Sequence, residues 1–189
     1  CSSDLEGAYS MPGKVDLTVS KYLLQPAEDL LNPNVHQLNF LASVQTGKSF
    51  LSEVYIPYLI ANAPGNILRF FQNDSTSKLF IESRLGPLLQ NCKLTAPLLK
   101  LDRYSINKEG IKLPHMIVRC TGPGENYLHS VSASTVIMDE AHLYESGVIN
   151  KVISRTAAFA QNKKIVICSQ PNVVDSDLYE QYKIGRAHV

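Results

Sequence analysis

A short apolar run, Leu38 to Val44, leads into the segment Ala42-Ser43-Val44-Gln45-Thr46-Gly47-Lys48-Ser49. Gly47 permits a tight turn in which backbone N–H groups converge, Lys48 offers a long cationic arm, and Ser49 offers a hydroxyl. Converging amides, a reaching cation and a metal-binding hydroxyl are what a polyphosphate chain and its magnesium ion need. The segment has the form of a phosphate loop, with Ala42 in place of the usual first glycine. Residues 42 to 49 are therefore expected to cradle a nucleotide, with Lys48 reaching the β- and γ-phosphates and Ser49 holding Mg²⁺. The helix that starts at about Lys48 turns its positive dipole end toward the same anion.

The second candidate is Val136-Ile137-Met138-Asp139-Glu140, an apolar strand that ends in two adjacent carboxylates. In a parallel sheet, ligands bind beyond the carboxyl ends of the strands. Asp139 is expected to hold Mg²⁺ through water, and Glu140 to polarise the water that attacks the γ-phosphate. Taken singly, a Gly-Lys-Ser triplet is also a plain strand-to-helix turn, and Asp-Glu is also a helix cap. Both in this order, each at the end of a buried strand, point to ATP hydrolysis. Asp139-Glu140-Ala141-His142 also invites a helicase reading, although His142 reads best as a polar residue at a helix entry.

Around these segments, short apolar strands alternate with helical patterns. Lys21 to Leu31 reads as a helix stopped by Asn32-Pro33-Asn34. Asn66 to Phe71 reads as a strand and Thr76 to Leu89 as a helix. Met116 to Cys120 and Thr135 to Met138 read as strands, Gly147 to Ala160 as a helix, and Ile165 to Cys168 as a last buried strand. This alternation predicts an α/β fold with a mainly parallel central sheet and helices on both faces. At least one strand lies between the two motifs, as in P-loop NTPases of the additional-strand, catalytic-glutamate type. The 189 residues suffice for one such domain, and 18 Lys and Arg against 17 Asp and Glu give a net charge of +1. That balance excludes nucleic-acid binding by bulk charge, though not by a local basic surface. Cysteines at 1, 92, 120 and 168 fit neither a zinc site nor a disulfide framework. No apolar run reaches membrane-spanning length.

With these motifs in place, the chain resembles the lambda-type large terminase subunit of tailed bacteriophages, and specifically its N-terminal packaging ATPase, from about Gly7 to Tyr182. Gly7 to Gly13 looks like the arm that precedes the first helix, and the resemblance gives Tyr9 the role of stacking on adenine. Gln45 to Ser49 is similar to the branch's phosphate loop. Ser83-Arg84-Leu85-Gly86-Pro87 resembles a segment after the second strand, and Val136 to Tyr144 the magnesium and catalytic segment. Cys168-Ser169-Gln170-Pro171 resembles the strand end that couples hydrolysis to movement, so the resemblance gives Ser169 and Gln170 that role. Asp175 to Lys183 looks like the run that leads out of the ATPase core. Many terminases carry an arginine in the phosphate loop, and residues 42 to 47 hold none. Of the substitutes Arg84, Arg119 and Arg155, Arg155 on the helix after the carboxylates is preferred.

The resemblance implies an ATP- and Mg²⁺-dependent motor that moves double-stranded DNA into a procapsid. Its partners would be the portal, the small terminase subunit and further copies in a ring, acting in the host cytoplasm at the procapsid portal. A nuclease domain would follow downstream and is not in this sequence. The alternatives are a superfamily-2 helicase and a non-hydrolysing nucleotide-binding module. Cys1 in place of Met reads as an internal cut, so residues 1–183 are expected to form an ATPase domain without its natural ends. Residues 184–189, Ile-Gly-Arg-Ala-His-Val, match one frame of a sequencing adapter and are expected to be read-through.

Overall fold

The computed structural model describes residues 17–99, 105–124, 131–171, 176–184 and 186–188. A 3-10 segment, Leu17–Leu23, runs into α1 (Leu24–Leu31), and Asn32-Pro33 ends it where the sequence predicts. Then come β1 (Gln37–Leu41), α2 (Lys48–Asn62), β2 (Ile67–Phe70) and α3 (Asp74–Phe80). A π-turn, Ile81–Leu85, joins α3 to α4 (Gly86–Asn91), and α5 (Ala96–Leu99) follows. The single helix predicted over 76 to 89 is thus a helix with a widened turn around Arg84.

The chain continues through β3 (Ile106–Asn107), β4 (Gly110–Leu113), β5 (Met116–Thr121), β6 (Thr135–Asp139), α6 (Val148–Ser154), β7 (Lys164–Ser169), α7 (Asp177–Ile184) and β8 (Arg186–His188). The helix predicted to reach Ala160 stops at Ser154, and a 3-10 turn at Ala157–Phe159 replaces its last stretch. The β3–β4 hairpin carries little apolar periodicity and was not predicted. It forms because Gly110, at φ 153, lets the chain approach β5 so closely that a Cβ there would sit 2.1 Å from the Val118 carbonyl oxygen.

The strands form one sheet in the order β3-β4-β5-β2-β6-β7-β1-β8. Every pairing from β5 to β8 is parallel, and only β3–β4 and β4–β5 are antiparallel. In the sheet, β7 lies between β1 and β6, so an additional strand separates the two motif strands. The backbone of Arg186–His188 pairs in parallel with Leu38–Phe40 and makes the outer edge.

Strand periodicity divides the core in two. Phe40, Ile67, Val118, Ile137 and Val166 face one side, where α2 supplies Leu51, Tyr55, Ile56 and Leu59 and the α3–α4 run supplies Phe80, Leu85 and Leu89. Leu41, Leu68, Phe70, Val136, Met138, Ile165 and Ile167 face the other, under Val148, Ile149 and Val152 of α6 and Leu178 of α7. Each fully buried Leu or Ile contributes roughly 1.5–3 kcal/mol. This double burial explains why the central strands read as unbroken apolar runs. Register then brings the carboxyl ends of the motif strands to one rim, since Asp139 pairs with Cys168 and Leu41 with Ser169.

Candidate functional site

The loop after β1 wraps around its own lysine. Gln45 (φ 61) and Gly47 (φ 84) both take left-handed backbone, which folds residues 42 to 47 back over the start of α2. Gly47 serves this turn at no steric cost, and Leu23 packs against it, since a Cβ there would lie 3.1 Å from Leu23 Cδ1. Lys48 Nζ donates to the Ala42 and Ser43 carbonyls at 2.8 Å each, and the Thr46 hydroxyl donates to Ser43 O at 2.9 Å. The Ala42 amide donates to Ser169 O, tying the loop to the end of β7. Val44 at the loop's crest is exposed. The N-terminus of the fifteen-residue α2 opens at this loop.

The two motifs meet across 90 residues of sequence, where the Ser49 hydroxyl donates to Asp139 Oδ1 at 3.2 Å. The next residue, Glu140, is held at φ 51, a strained backbone for a residue with a Cβ. This turn swings its carboxylate out of the strand direction, with Oε2 3.3 Å from His142 Nδ1. His142 in turn meets Ser169: its amide donates to Ser169 Oγ at 2.9 Å and Nδ1 lies 3.1 Å from the same oxygen. Ser169 is fully buried and Gln170 beside it half-buried. His142 thus lies between the Glu140 carboxylate and the end of β7, with Glu140 Oε2 accepting no hydrogen bond from the described residues.

Beneath the rim lies a feature that strand patterning did not flag. Arg69, the third residue of β2, is completely buried, and its Nη2 donates to Asp139 Oδ2 at 2.8 Å. The rings of Phe80 and Phe71 lie 4.3 and 5.2 Å from its guanidinium carbon. Burial by itself would push this guanidinium down, but the Asp139 and Glu53 carboxylates more than offset it and hold it above its ordinary value. The available signal was a lone arginine inside Ile67-Leu68-Arg69-Phe70, since a charge in an apolar strand calls for a partner. Tyr144 completes the floor. Its hydroxyl donates to Phe70 O and Asp139 O, clamping the ends of β2 and β6, and burial pushes its ionisation far up.

Ser49, Asp139 and Glu140 open onto one cleft whose far wall includes Thr76, Ser83 and Arg84. Arg84 Nη1 donates to the buried Glu53 carboxylate at 2.9 Å, and its side chain stays 59% exposed toward the cleft. Arg155, the preferred substitute, lies outside the lining of this cleft. Its carbonyl accepts from Ala133, six residues before Asp139 and so about 20 Å away along an extended chain, and its guanidinium Nη2 donates to Ser154. Arg119 lies on β5 beside Glu109, also away from the cleft. Tyr9 lies outside the described residues.

The family model for the ATPase domain of phage terminase large subunit gpA matches residues 9–187. Among solved structures, the large terminase ATPase domain of Thermus phage P74-26 is similar with a TM-score of 0.59 at 15% identity, over 83% of this chain and 66% of that one. A point-mutant form of that domain gives a TM-score of 0.58 at 18% identity, over 77% of this chain and 64% of that one. The chain thus spans less than two thirds of either solved domain. At these identities the likeness speaks to fold alone. No curated protein matches.

Proposed function

The chain belongs to the family of phage terminase large subunit gpA ATPase domains, and from that membership we propose that it hydrolyses ATP to drive double-stranded DNA into a viral procapsid. The observation that carries the chemistry is the Ser49–Asp139 contact at the mouth of the phosphate loop, with Glu140 next in the chain. A hydroxyl beside a carboxylate is a hard oxygen pair that fits Mg²⁺. Among the described residues no cluster of three or more His, Cys, Asp or Glu side chains could hold a metal by itself, so nucleotide phosphates complete the shell. Bound Mg²⁺ would neutralise charge that develops on the transferred phosphoryl oxygens.

The protein's own part is positioning. The amides of residues 42 to 47 surround the phosphates, and Lys48 exchanges its two carbonyl contacts for the β- and γ-phosphates. Asp139 and Ser49 would hold Mg²⁺, and Glu140 polarises the attacking water and receives its proton. Arg84 is the cation of the cleft wall and stabilises the departing charge. Ser169 and Gln170 respond to γ-phosphate loss through His142, which touches both Glu140 and Ser169. Tyr9 stacks on adenine.

Double-stranded DNA, the portal, the small terminase subunit and further copies in a ring are the partners of this reading, in the host cytoplasm at the procapsid portal. The described residues contain no helix long and apolar enough to cross a membrane. With a net charge of +1, DNA grip is local and shared among subunits. The Cys168-Ser169-Gln170-Pro171 strand end weighs against the helicase alternative, and the intact Lys48, Asp139 and Glu140 set weighs against a passive nucleotide-binding module. The test is DNA-stimulated ATP turnover by the full-length protein. Turnover lost in Lys48→Ala supports the reading, and wild-type turnover in that variant contradicts it.

A further inference from the structure

Arg69 is an expensive residue to keep. It is fully buried, and its Nε and Nη1 make no hydrogen bond. A packed apolar side chain of similar volume is often neutral or stabilising at such a position. Its one strong contact is to the carboxylate that this reading gives to the metal. The two oxygens of Asp139 are divided, with Oδ2 on Arg69 at 2.8 Å and Oδ1 on the Ser49 hydroxyl at 3.2 Å. The guanidinium is fixed in turn by Phe80 and Phe71, whose rings lie 4.3 and 5.2 Å from it.

We propose that Arg69 is a positioning residue for the metal side of the nucleotide site. Its buried fork fixes the Asp139 carboxylate so that Oδ1 faces Ser49 and the incoming magnesium shell. The inference rests on the ATPase reading above. An Asp139 side chain without this anchor can rotate about its terminal torsion, which has broad, two-fold wells, and so meets the metal shell in the wrong orientation part of the time. Arg69 is fully buried beneath the cleft and does not line it, so its effect is confined to the metal-dependent share of binding.

The experiment is fluorescent-ATP-analogue binding to full-length protein, first in EDTA and then across a Mg²⁺ titration, for wild type and Arg69→Met. The expected result is EDTA affinity within about twofold of wild type, with the Mg²⁺ concentration for half-maximal stimulation raised at least tenfold, a change equivalent to about 1.4 kcal/mol. Mn²⁺ substituted for Mg²⁺ and followed by its spin-resonance signal should report the same rise. An unchanged or lowered metal requirement overturns the proposal, as does a parallel loss of EDTA and Mg²⁺ affinity. If Arg69→Met does not fold, Arg69→Lys carries the test. It keeps the cation but loses the planar fork and should raise the requirement at least threefold, with no rise overturning the proposal. Failure of the wild-type protein to bind nucleotide would instead refute the ATPase reading.

Discussion

Replacing Asp139 with Asn should destabilise the domain far more than loss of an ordinary surface carboxylate. The substitution leaves the Arg69 guanidinium at 0% side-chain exposure with no counter-charge on Oδ2. Breaking a buried pair from one side costs about 3–5 kcal/mol, against about 5–15 kcal/mol for a whole domain. For a protein of this size each kcal/mol moves the melting midpoint by about 2–4 °C, so the midpoint should fall by about 6–20 °C. The double variant Asp139→Asn with Arg69→Met removes both charges and should recover at least half of that loss, because the second substitution no longer leaves a charge unpaired. The assay is thermal or urea unfolding of the four members of the cycle without nucleotide. A fall below about 3 °C in Asp139→Asn, or strictly additive losses in the double variant, would refute the claim that these residues form one buried electrostatic unit.

Three further outcomes are expected. His142→Ala should leave nucleotide affinity within about twofold but lower DNA-stimulated turnover about tenfold, since it cuts the link between Glu140 and Ser169; unchanged turnover would remove His142 from the coupling path. Burial pushes the Cys120 and Cys168 thiols up to about 12, so site-resolved alkylation at pH 8 should leave both unmodified until denaturant is added, and rapid native labelling would contradict their placement. Burial lowers Lys164 from 10.5 to about 8. The unfolded chain then binds more protons between those values, so this residue adds stability as pH rises through that window. The urea midpoint of wild type relative to Lys164→Arg, which cannot deprotonate, should therefore rise between pH 7.5 and 9.5, and a flat or falling difference would contradict the assignment.

The sequence revealed most where one residue type has one use. The apolar runs over β1, β2, β6 and β7 are buried on both faces, which leaves the sheet class little freedom, and the Gly47-Lys48-Ser49 turn follows from β1 leading directly into α2. The β3–β4 hairpin was not legible because its pairing depends on one close approach at Gly110 and not on apolar periodicity. Helix termini shifted where tertiary packing outweighed propensity, as at Ser154. Within the candidate site, local motifs single out Ser49, Asp139 and Glu140, but the contact between Ser49 and Asp139 spans 90 residues and becomes visible only through strand register. The placement of Arg155 was hidden for the same reason. A residue that follows the carboxylates in sequence sits near the opposite end of β6, while Arg84, weighed as a substitute but not preferred, lines the cleft from a π-turn that helical periodicity does not reveal.

The central claim is that Glu140 performs the hydrolytic step in a site assembled by Lys48, Ser49 and Asp139. Its most direct test is single-turnover hydrolysis of labelled ATP by full-length Glu140→Gln in the presence of DNA, with nucleotide binding measured on the same sample. The amide keeps the shape of the side chain but cannot accept the proton, so binding should stay within about twofold while the hydrolysis rate falls at least about 100-fold. Hydrolysis at the wild-type rate by a variant that binds ATP normally would contradict it.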